Sequence, residues 1–259
     1  MAAPGKYQDA QIVWRKDHAK DLWSIRLRTD PLPQFEPGQY VTLGVEENGR
    51  IVERAYSLAS SPLEDELEVF LELVPHGELT PRLHSLQTGD RLLVRPRAKG
   101  VFTLDRASGR KNHLMVSTVT GVAPFVSMAR TLSREADQGK APGLNMVVLE
   151  AASRSWEFGY GEELTNLAER HPHWLRFIAS VSRPWEDEAW PGERGRVEDI
   201  LRKHLDECGM KPGNTTAYLC GHPGMIENAK GILLRRGFAR DDLRIEVYWM
   251  PKKEREPQP

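Results

Sequence analysis

The sequence predicts a two-domain protein in which an antiparallel β-barrel is followed by an α/β domain with a parallel sheet. The chain has 259 residues, enough for one large or two ordinary domains. Up to about residue 105, short β-leaning runs lie between glycine and proline turns, whereas the rest alternates between strand-like and helix-like segments. We therefore expect domains over residues 1–106 and 107–250, followed by a flexible tail over 251–259.

The first half has the pattern of an antiparallel β structure. Its clearest runs are residues 41–43, 67–71 and 91–94, and turn residues separate them. Short strands between such turns predict an antiparallel barrel or sandwich. One short helix is expected to interrupt the strands, starting at Thr80 or Pro81 and ending near Leu86.

The second half alternates strictly between predicted strands and helices. Strands are expected over residues 113–117, 145–150, 174–181, 216–220 and 243–247, and helices over 124–136, 162–169, 197–206 and 224–236. This alternation predicts a parallel sheet that is covered on both faces. Ligands of such sheets bind beyond the carboxyl ends of the strands. The segments expected at that edge are residues 118–124, 153–154, 182–183 and 221–223.

The composition excludes several classes of function. Hydrophobic residues make up 39% and charged residues 28%, as in globular proteins, and no apolar run approaches the length of a membrane span. The first residues lack the apolar core of a signal peptide, so we expect a cytoplasmic protein. A net charge of −1 argues against nucleic-acid binding.

Two cysteines, Cys208 and Cys220, are too few for a four-cysteine iron–sulfur centre. Any iron–sulfur partner must therefore be a separate molecule. His222 is a lone histidine near Cys220, so no metal site is expected.

Basic residues are concentrated between Arg82 and Lys111, where eight basic residues accompany only Asp90 and Asp105. Such a run forms either a solvated strand face with a linker or a docking surface for an acidic protein. The eight are Arg82, Arg91, Arg95, Arg97, Lys99, Arg106, Arg110 and Lys111.

A strand end at residues 54–57 combines a cation, an aromatic ring and a hydroxyl in the tetrad Arg54, Ala55, Tyr56 and Ser57. An arginine can fork onto a diphosphate, an aromatic ring can cover a flat ring, and a hydroxyl can bond to that ring's edge. These are three needs of a bound flavin dinucleotide. Downstream, residues 77–82 (GELTPR) give a tight turn at Gly77 and a helix start that Thr80 could cap.

Two further motifs follow in the second half, TGVAPF at residues 120–125 and CGHPGM at 220–225. The four motifs, in this order and spacing, resemble the bacterial ferredoxin/flavodoxin branch of the ferredoxin–NADP reductase family, over residues 7–249. The resemblance implies a Rossmann-like second domain, non-covalent FAD in the barrel, hydride exchange with NADP(H), and single-electron exchange with a ferredoxin or flavodoxin. We also expect the protein to be a monomer.

The resemblance carries residue roles onto this sequence. Ser57 is expected near the flavin N5, Cys220 beside the nicotinamide, and Glu246 at the reactive ring edge. An aromatic residue near the end of the last strand, either Tyr248 or Trp249, is expected to cover flavin or adenine. The FAD site implied by the resemblance comprises Arg54, Ala55, Tyr56, Ser57, Phe70, Leu71, Gly77, Glu78, Leu79, Thr80, Thr120, Tyr248 and Trp249.

The resemblance places arginines for the 2′-phosphate of NADP after the second and third strands of the α/β domain, and again about a dozen residues later. Arg183 and Arg196 match two of these places, and Arg154 stands next to the third, which Ser153 occupies. The implied NADP site comprises Thr120, Gly121, Ser153, Arg154, Ser182, Arg183, Arg196, Cys220, Gly221 and Met225.

The chain departs from the family at Val119, where a glycine is usual. This departure keeps an alternative open, an electron-transfer or regulatory FAD subunit without nucleotide chemistry of its own. The reductase component of an oxygenase is a further alternative.

Overall fold

The computed structural model describes residues 5–248, and its first half is a six-stranded antiparallel barrel. The sheet order is β4-β3-β6-β1-β2-β5. A bridge between Leu58 and Val69 joins the two outer strands and closes the sheet. The strands are β1 Gln8–Ala19, β2 Leu22–Arg28, β3 Tyr40–Glu47, β4 Arg50–Ser57, β5 Leu67–Glu72 and β6 Arg91–Val94.

The barrel is filled by inward-facing residues of alternate strand positions, among them Trp23, Ile25 and Leu43, which are fully buried. A single helix, α1 Thr80–Ser85, covers one end through Leu83. The strand pattern predicted either a barrel or a sandwich, and the structure is a barrel.

The second half is a six-stranded parallel sheet in the order β10-β9-β8-β7-β11-β12. Its strands are β7 Asn112–Thr118, β8 Asn145–Ala152, β9 Leu175–Val181, β10 Glu193–Arg194, β11 Thr215–Gly221 and β12 Leu243–Val247. Helices cover both faces: α2 Ala123–Asp137, α3 Gly161–Arg170, α4 Val197–Glu207 and α5 Pro223–Arg235. Consecutive strand residues alternate between the two faces, so Met115 packs in one core and Leu114 and Val116 in the other.

The two halves share a continuous interface. The core on the α2 side of the sheet extends to Phe70 and Phe102 of the barrel half. Polar contacts reinforce it, because the Ser127 hydroxyl of α2 donates to the Ser60 carbonyl at 2.6 Å. The linker is anchored as well, since the Asp105 amide donates to the Tyr218 hydroxyl at 2.7 Å.

The predicted two-domain fold and both sheet types are confirmed, with element ends within two residues in the α/β half. The two-residue strand β10 was not predicted. Trp249 and the tail at 251–259 lie outside the described residues. No helix in the described part of the chain is long and apolar enough to cross a membrane.

Candidate active site

A hydrogen bond between the end of β4 and the end of β12 connects the two halves. The Ser57 hydroxyl donates to Glu246 Oε1 at 2.7 Å across 189 residues of chain. Ser57 is 5% exposed. Burial raises the pKa of Glu246 above its ordinary value, and the hydrogen bond from Ser57 partly opposes that rise. The site therefore has a hydroxyl in contact with a carboxyl group that is poised to hold a proton.

Glu246 belongs to a row of four in-register residues that crosses the parallel sheet. Glu246 pairs with Cys220, Cys220 with Ser117, and Ser117 with Glu150. Cys220 is fully buried, and burial raises the pKa of its thiol well above the ordinary value, with a further contribution from Glu246. The Tyr248 hydroxyl lies close to both Cys220 and Ser57. Ser57, Cys220, Glu246 and Tyr248 are thus brought together as one cluster.

The loops after β7 and β11 approach each other so closely that side chains are excluded. A Cβ atom on Gly121 would overlap the Cys220 carbonyl, and one on Gly221 would overlap the Thr118 hydroxyl. The His222 amide donates to Thr118 Oγ1 at 2.8 Å, which ties the two loops together. Glycine at both positions is therefore required by the close backbone approach.

Val119 adopts a backbone φ of +44° in the loop between β7 and α2. This left-handed conformation is unfavourable for a β-branched residue and natural for glycine. Val119 stands where the family resemblance leads one to expect glycine, and the backbone keeps a glycine-like conformation there. The departure therefore changes the side chain without abolishing the turn.

Arg54, Glu78 and Arg50 form an exposed charged cluster at the barrel surface. The Arg54 guanidinium donates to Glu78 Oε2 at 2.7 Å, and Arg50 lies 3.9 Å from the other oxygen. Thr80 does not cap α1, contrary to expectation, because the N-cap position is Leu79. The Thr80 hydroxyl instead bonds to the backbone of Val74. It fixes the turn at residues 74–77 against the helix start.

The tetrad's aromatic ring, Tyr56, is half-buried, and burial raises its pKa. Tyr40 lies opposite Ser57 on the neighbouring strand β3. Several predicted cofactor residues have side chains in the protein core, so only their backbone atoms are free to face a ligand. These are Phe70, Leu71 and Leu79 on the flavin side and Met225 on the nucleotide side.

At the carboxyl edge of the parallel sheet, two of the predicted arginines are already paired with carboxylates. Glu186 contacts Arg154 Nε through one oxygen, and its other oxygen lies 3.4 Å from Arg183. Glu157 lies 3.1 Å from Arg154 on the other side. Ser153 and Ser182 flank this cluster, and the Arg183 amide donates to the Ser153 carbonyl at 3.0 Å.

Arg196 is exposed, and within residues 5–248 its guanidinium makes no ion pair. The preceding Gly195 donates its amide to the Val181 carbonyl at 2.8 Å, which brings Arg196 to the end of β9 near Arg183. The structure therefore gathers Arg154, Arg183 and Arg196 at one edge.

The basic run between residues 82 and 111 does not form a single patch. Five of its members make ion pairs with carboxylates of the same chain, namely Arg82, Arg91, Arg95, Arg106 and Arg110. Among the described residues, Arg97, Lys99 and Lys111 have no ion pair. Lys99 bridges to Tyr40 through its backbone, so Arg97 and Lys99 lie next to the Ser57 cluster.

Sequence reasoning missed Glu157 and Glu186. It placed Thr118 at the ligand-binding edge of the sheet but did not assign it a contact. Glu157 and Glu186 each follow an arginine by three residues, in Arg154–Glu157 and Arg183–Glu186, but that spacing also fits an ordinary surface ion pair.

Similar proteins support the division into two nucleotide-binding parts. Family models of an oxidoreductase FAD-binding domain and an oxidoreductase NAD-binding domain match residues 9–101 and 115–231. A ferredoxin–NADP reductase of Pseudomonas aeruginosa is 32% identical over 227 residues, which are 82% of this chain and 83% of that protein. A flavodoxin/ferredoxin–NADP reductase of Escherichia coli is 32% identical over 213 residues, with coverages of 81% and 82%.

Among solved structures, a ferredoxin NADP⁺ reductase from Neisseria gonorrhoeae with bound FAD and NADP matches with a TM-score of 0.82. It is 26% identical in sequence, and the match covers 94% of this chain and 99% of that one. The likeness therefore includes the arrangement of the two halves as well as each sheet.

Proposed function

Because the chain belongs to the ferredoxin/flavodoxin–NADP reductase family, we propose that the Ser57 cluster is its redox centre. The protein is an FAD-dependent oxidoreductase that exchanges a hydride with NADP(H) and single electrons with a ferredoxin or flavodoxin. The observation that carries the assignment of the centre is the 2.7 Å hydrogen bond between Ser57 of the barrel and Glu246 of the parallel sheet. It joins the flavin half to the nucleotide half at one point.

The residues around Ser57 fit a flavin. Tyr56 is half-buried and Tyr248 is 41% exposed, so both rings have surface that a ligand could cover. Arg54 is exposed, and its ion pair with Glu78 is a surface contact of small strength. We infer that Tyr56 and Tyr248 cover the ring system, while Arg54 and the 77–80 segment hold the diphosphate.

Bound FAD supplies the hydride and electron chemistry. The protein's own part is to position donors and to hold a proton. Ser57 donates to Glu246, so the hydroxyl oxygen keeps a lone pair directed away from the carboxyl group. We propose that this oxygen would face a flavin held here and would accept a proton from it, while the Ser57 hydroxyl proton would pass to Glu246, whose pKa is raised by burial.

The nicotinamide is assigned to the strand ends that carry Gly121, Gly221 and Cys220. The two glycines leave backbone without side chains at that point. Cys220 is fully buried in the structure, and the Tyr248 hydroxyl interacts with it. We infer that Tyr248 must move before a nicotinamide ring can contact Cys220.

Arg154, Arg183 and Arg196 are assigned to the 2′-phosphate of NADP, because guanidinium groups bind phosphates in forked pairs. Replacement of Arg183 by alanine should raise KM for NADPH much more than KM for NADH, measured in the same steady-state assay. Equal increases for both nucleotides would remove Arg183 from the 2′-phosphate site.

The exposed cations Arg97 and Lys99 support docking of an acidic electron carrier close to the flavin, since charge steers such encounters. We further propose that the protein works as a monomer in the cytoplasm. The chain divides, on this proposal, into a flavin domain up to residue 106 and a nucleotide domain from residue 107.

Anaerobic titration with NADPH, followed by visible absorption, tests the assignment. A yellow protein whose flavin band bleaches promptly supports it, and a yellow protein that stays oxidised contradicts it. Ser57→Ala should slow the bleaching in stopped flow more than it weakens FAD binding. Ser61→Ala is the matched control, because Ser61 is also buried but bonds to Thr131, away from the cluster. An unchanged rate for Ser57→Ala would exclude Ser57 from the mechanism.

A further inference from the structure

The carboxylate of Glu186 lies between two of the arginines assigned to the 2′-phosphate. One of its oxygens contacts Arg154 Nε, and the other lies 3.4 Å from the Arg183 guanidinium. Glu186 stands on the short turn Pro184–Glu186 directly after β9, while Arg154 follows β8. A single side chain therefore bridges the ends of two strands at the edge where nucleotides bind.

The charges of this cluster balance in the free protein. Arg154 is also bound by Glu157 at 3.1 Å, so two carboxylates face two guanidinium groups. Glu157 is fixed by a second role, since its other oxygen accepts the backbone amide of Ser153 at 2.8 Å. Glu186 has no such backbone anchor among the described residues. Of the two carboxylates, Glu186 is the one that can leave.

A phosphate placed between Arg154 and Arg183 would compete with Glu186 for the same donors. A ribose 2′-hydroxyl would not, because it carries no charge and can accept or donate with the carboxylate in place. The need to displace Glu186 therefore weakens the binding of NADPH but not the binding of NADH. If the arginines are free of Glu186 in only a fraction of the molecules, the apparent affinity for NADPH falls in proportion to that fraction.

We propose that Glu186 is a gate of the 2′-phosphate site that sets how strongly the protein prefers NADPH over NADH. The inference rests on the proposed function, since it takes the arginine cluster as the 2′-phosphate site. It adds a residue that acts against NADPH binding within that site. Removing the charge of Glu186 while keeping its shape should therefore free Arg183 and the Nε of Arg154 for phosphate.

The test compares binding of two small nucleotides to the wild type and to Glu186→Gln by isothermal titration calorimetry. Adenosine 2′,5′-bisphosphate carries the 2′-phosphate, and 5′-AMP lacks it. We expect Glu186→Gln to bind the bisphosphate about three- to tenfold more tightly, the scale of one or two surface ion pairs. Its affinity for 5′-AMP should stay within about twofold.

Glu188→Gln is the matched control. Glu188 stands two residues later on the same loop and is exposed, and within residues 5–248 its side chain makes no ion pair. It changes the net charge by the same amount, so a general electrostatic effect would appear in both variants. A gain in Glu186→Gln alone supports the gate.

Three outcomes would overturn the inference. Equal tightening of both nucleotides, or equal gains in both variants, would mean that only overall charge changed. Weaker bisphosphate binding in Glu186→Gln would mean that Glu186 positions the arginines instead of blocking them. Neither readout needs the flavin, so failure of NADPH to bleach the wild-type flavin would count against the proposed function separately.

Discussion

Two buried glutamates, one in each half of the molecule, lie in opposite surroundings. Glu68 of β5 is 1% exposed and accepts hydrogen bonds from Arg26, Arg130 and Tyr160. Glu150 of β8 is fully buried, and neither of its oxygens has a hydrogen-bond partner within the described residues. The first carboxylate joins the two halves, whereas the second lies inside the parallel sheet.

The surroundings shift the pKa values of these two glutamates in opposite directions. Burial alone would raise the pKa of Glu68, but the charge of Arg130 and the hydrogen bonds from its partners outweigh burial and lower that pKa. Burial acts without opposition on Glu150 and raises its pKa well above the ordinary value of 4.5. Nearly equal burial therefore favours the ionised form at one place and the neutral acid at the other.

The comparison shows which part of the protein contains unsatisfied polar groups and a strained backbone. The domain interface is well satisfied, whereas the unpartnered Glu150 lies in the sheet that carries Cys220 and Glu246, and the left-handed Val119 directly follows strand β7 of that sheet. Strain and unmet hydrogen bonds of this kind concentrate near functional sites in proteins.

The largest effect is expected at the interface. Glu68→Leu should lower the free energy of unfolding by about 3–5 kcal/mol, because it removes the buried acceptor that Arg26, Arg130 and Tyr160 share. Arg130 keeps its pair with Glu163 at 2.6 Å. Denaturant unfolding followed by circular dichroism measures the change. Glu66→Gln is the control, since Glu66 makes only an exposed pair with Arg28, and it should lower stability by less than about 1 kcal/mol. Similar losses in both variants would contradict the comparison.

Glu150→Leu should act in the opposite direction. Replacing an unsatisfied buried carboxyl group by an apolar side chain of similar size should raise the free energy of unfolding at pH 8 by about 1–3 kcal/mol. The same denaturant series measures it. A loss of stability would mean that ordered water or a functional contact satisfies Glu150.

The pH dependence should separate the two groups further. The stability that ionised Glu68 contributes is present above its unfolded pKa of about 4.5 and is lost as the pH falls. Glu150 has a raised folded pKa, so its contribution is present below about pH 4.5 and is lost as the pH rises. The advantage of Glu150→Leu over the wild type should therefore grow between pH 5 and pH 9 in thermal unfolding. A pH-independent difference would show that Glu150 does not titrate on unfolding.

The smallest effect is expected at Val119. Val119→Gly should raise the free energy of unfolding by up to about 1 kcal/mol, because relief of the left-handed strain exceeds the added chain entropy. Asn48→Gly is the control, since Asn48 has a φ of 52° and asparagine tolerates that conformation. A loss of stability at Val119 would show that its side-chain packing outweighs the strain.

The fold was predictable because continuously buried strands such as β8 and β11 alternate with amphipathic helices along the α/β half. The contact between Ser57 and Glu246 was harder to predict. The resemblance placed both residues near the flavin ring but did not imply that they touch. The pairing of Glu68 with Arg130 could not be read from the sequence. Charged residues 62 positions apart carry no pattern that marks them as partners. Strand β10 was missed because two residues are too short for any alternation to appear.

The order in which a ribosome makes the chain bears on when the Ser57–Glu246 contact can form. Barrel residues such as Ser57 emerge early, whereas β12 follows after 189 further residues, which take about 10–40 s to synthesise at typical rates of translation. During that interval the nascent barrel has a nearly complete flavin surface without its carboxyl partner. The barrel can therefore bind its cofactor before the redox centre is complete. The centre is complete only once β12 has been synthesised.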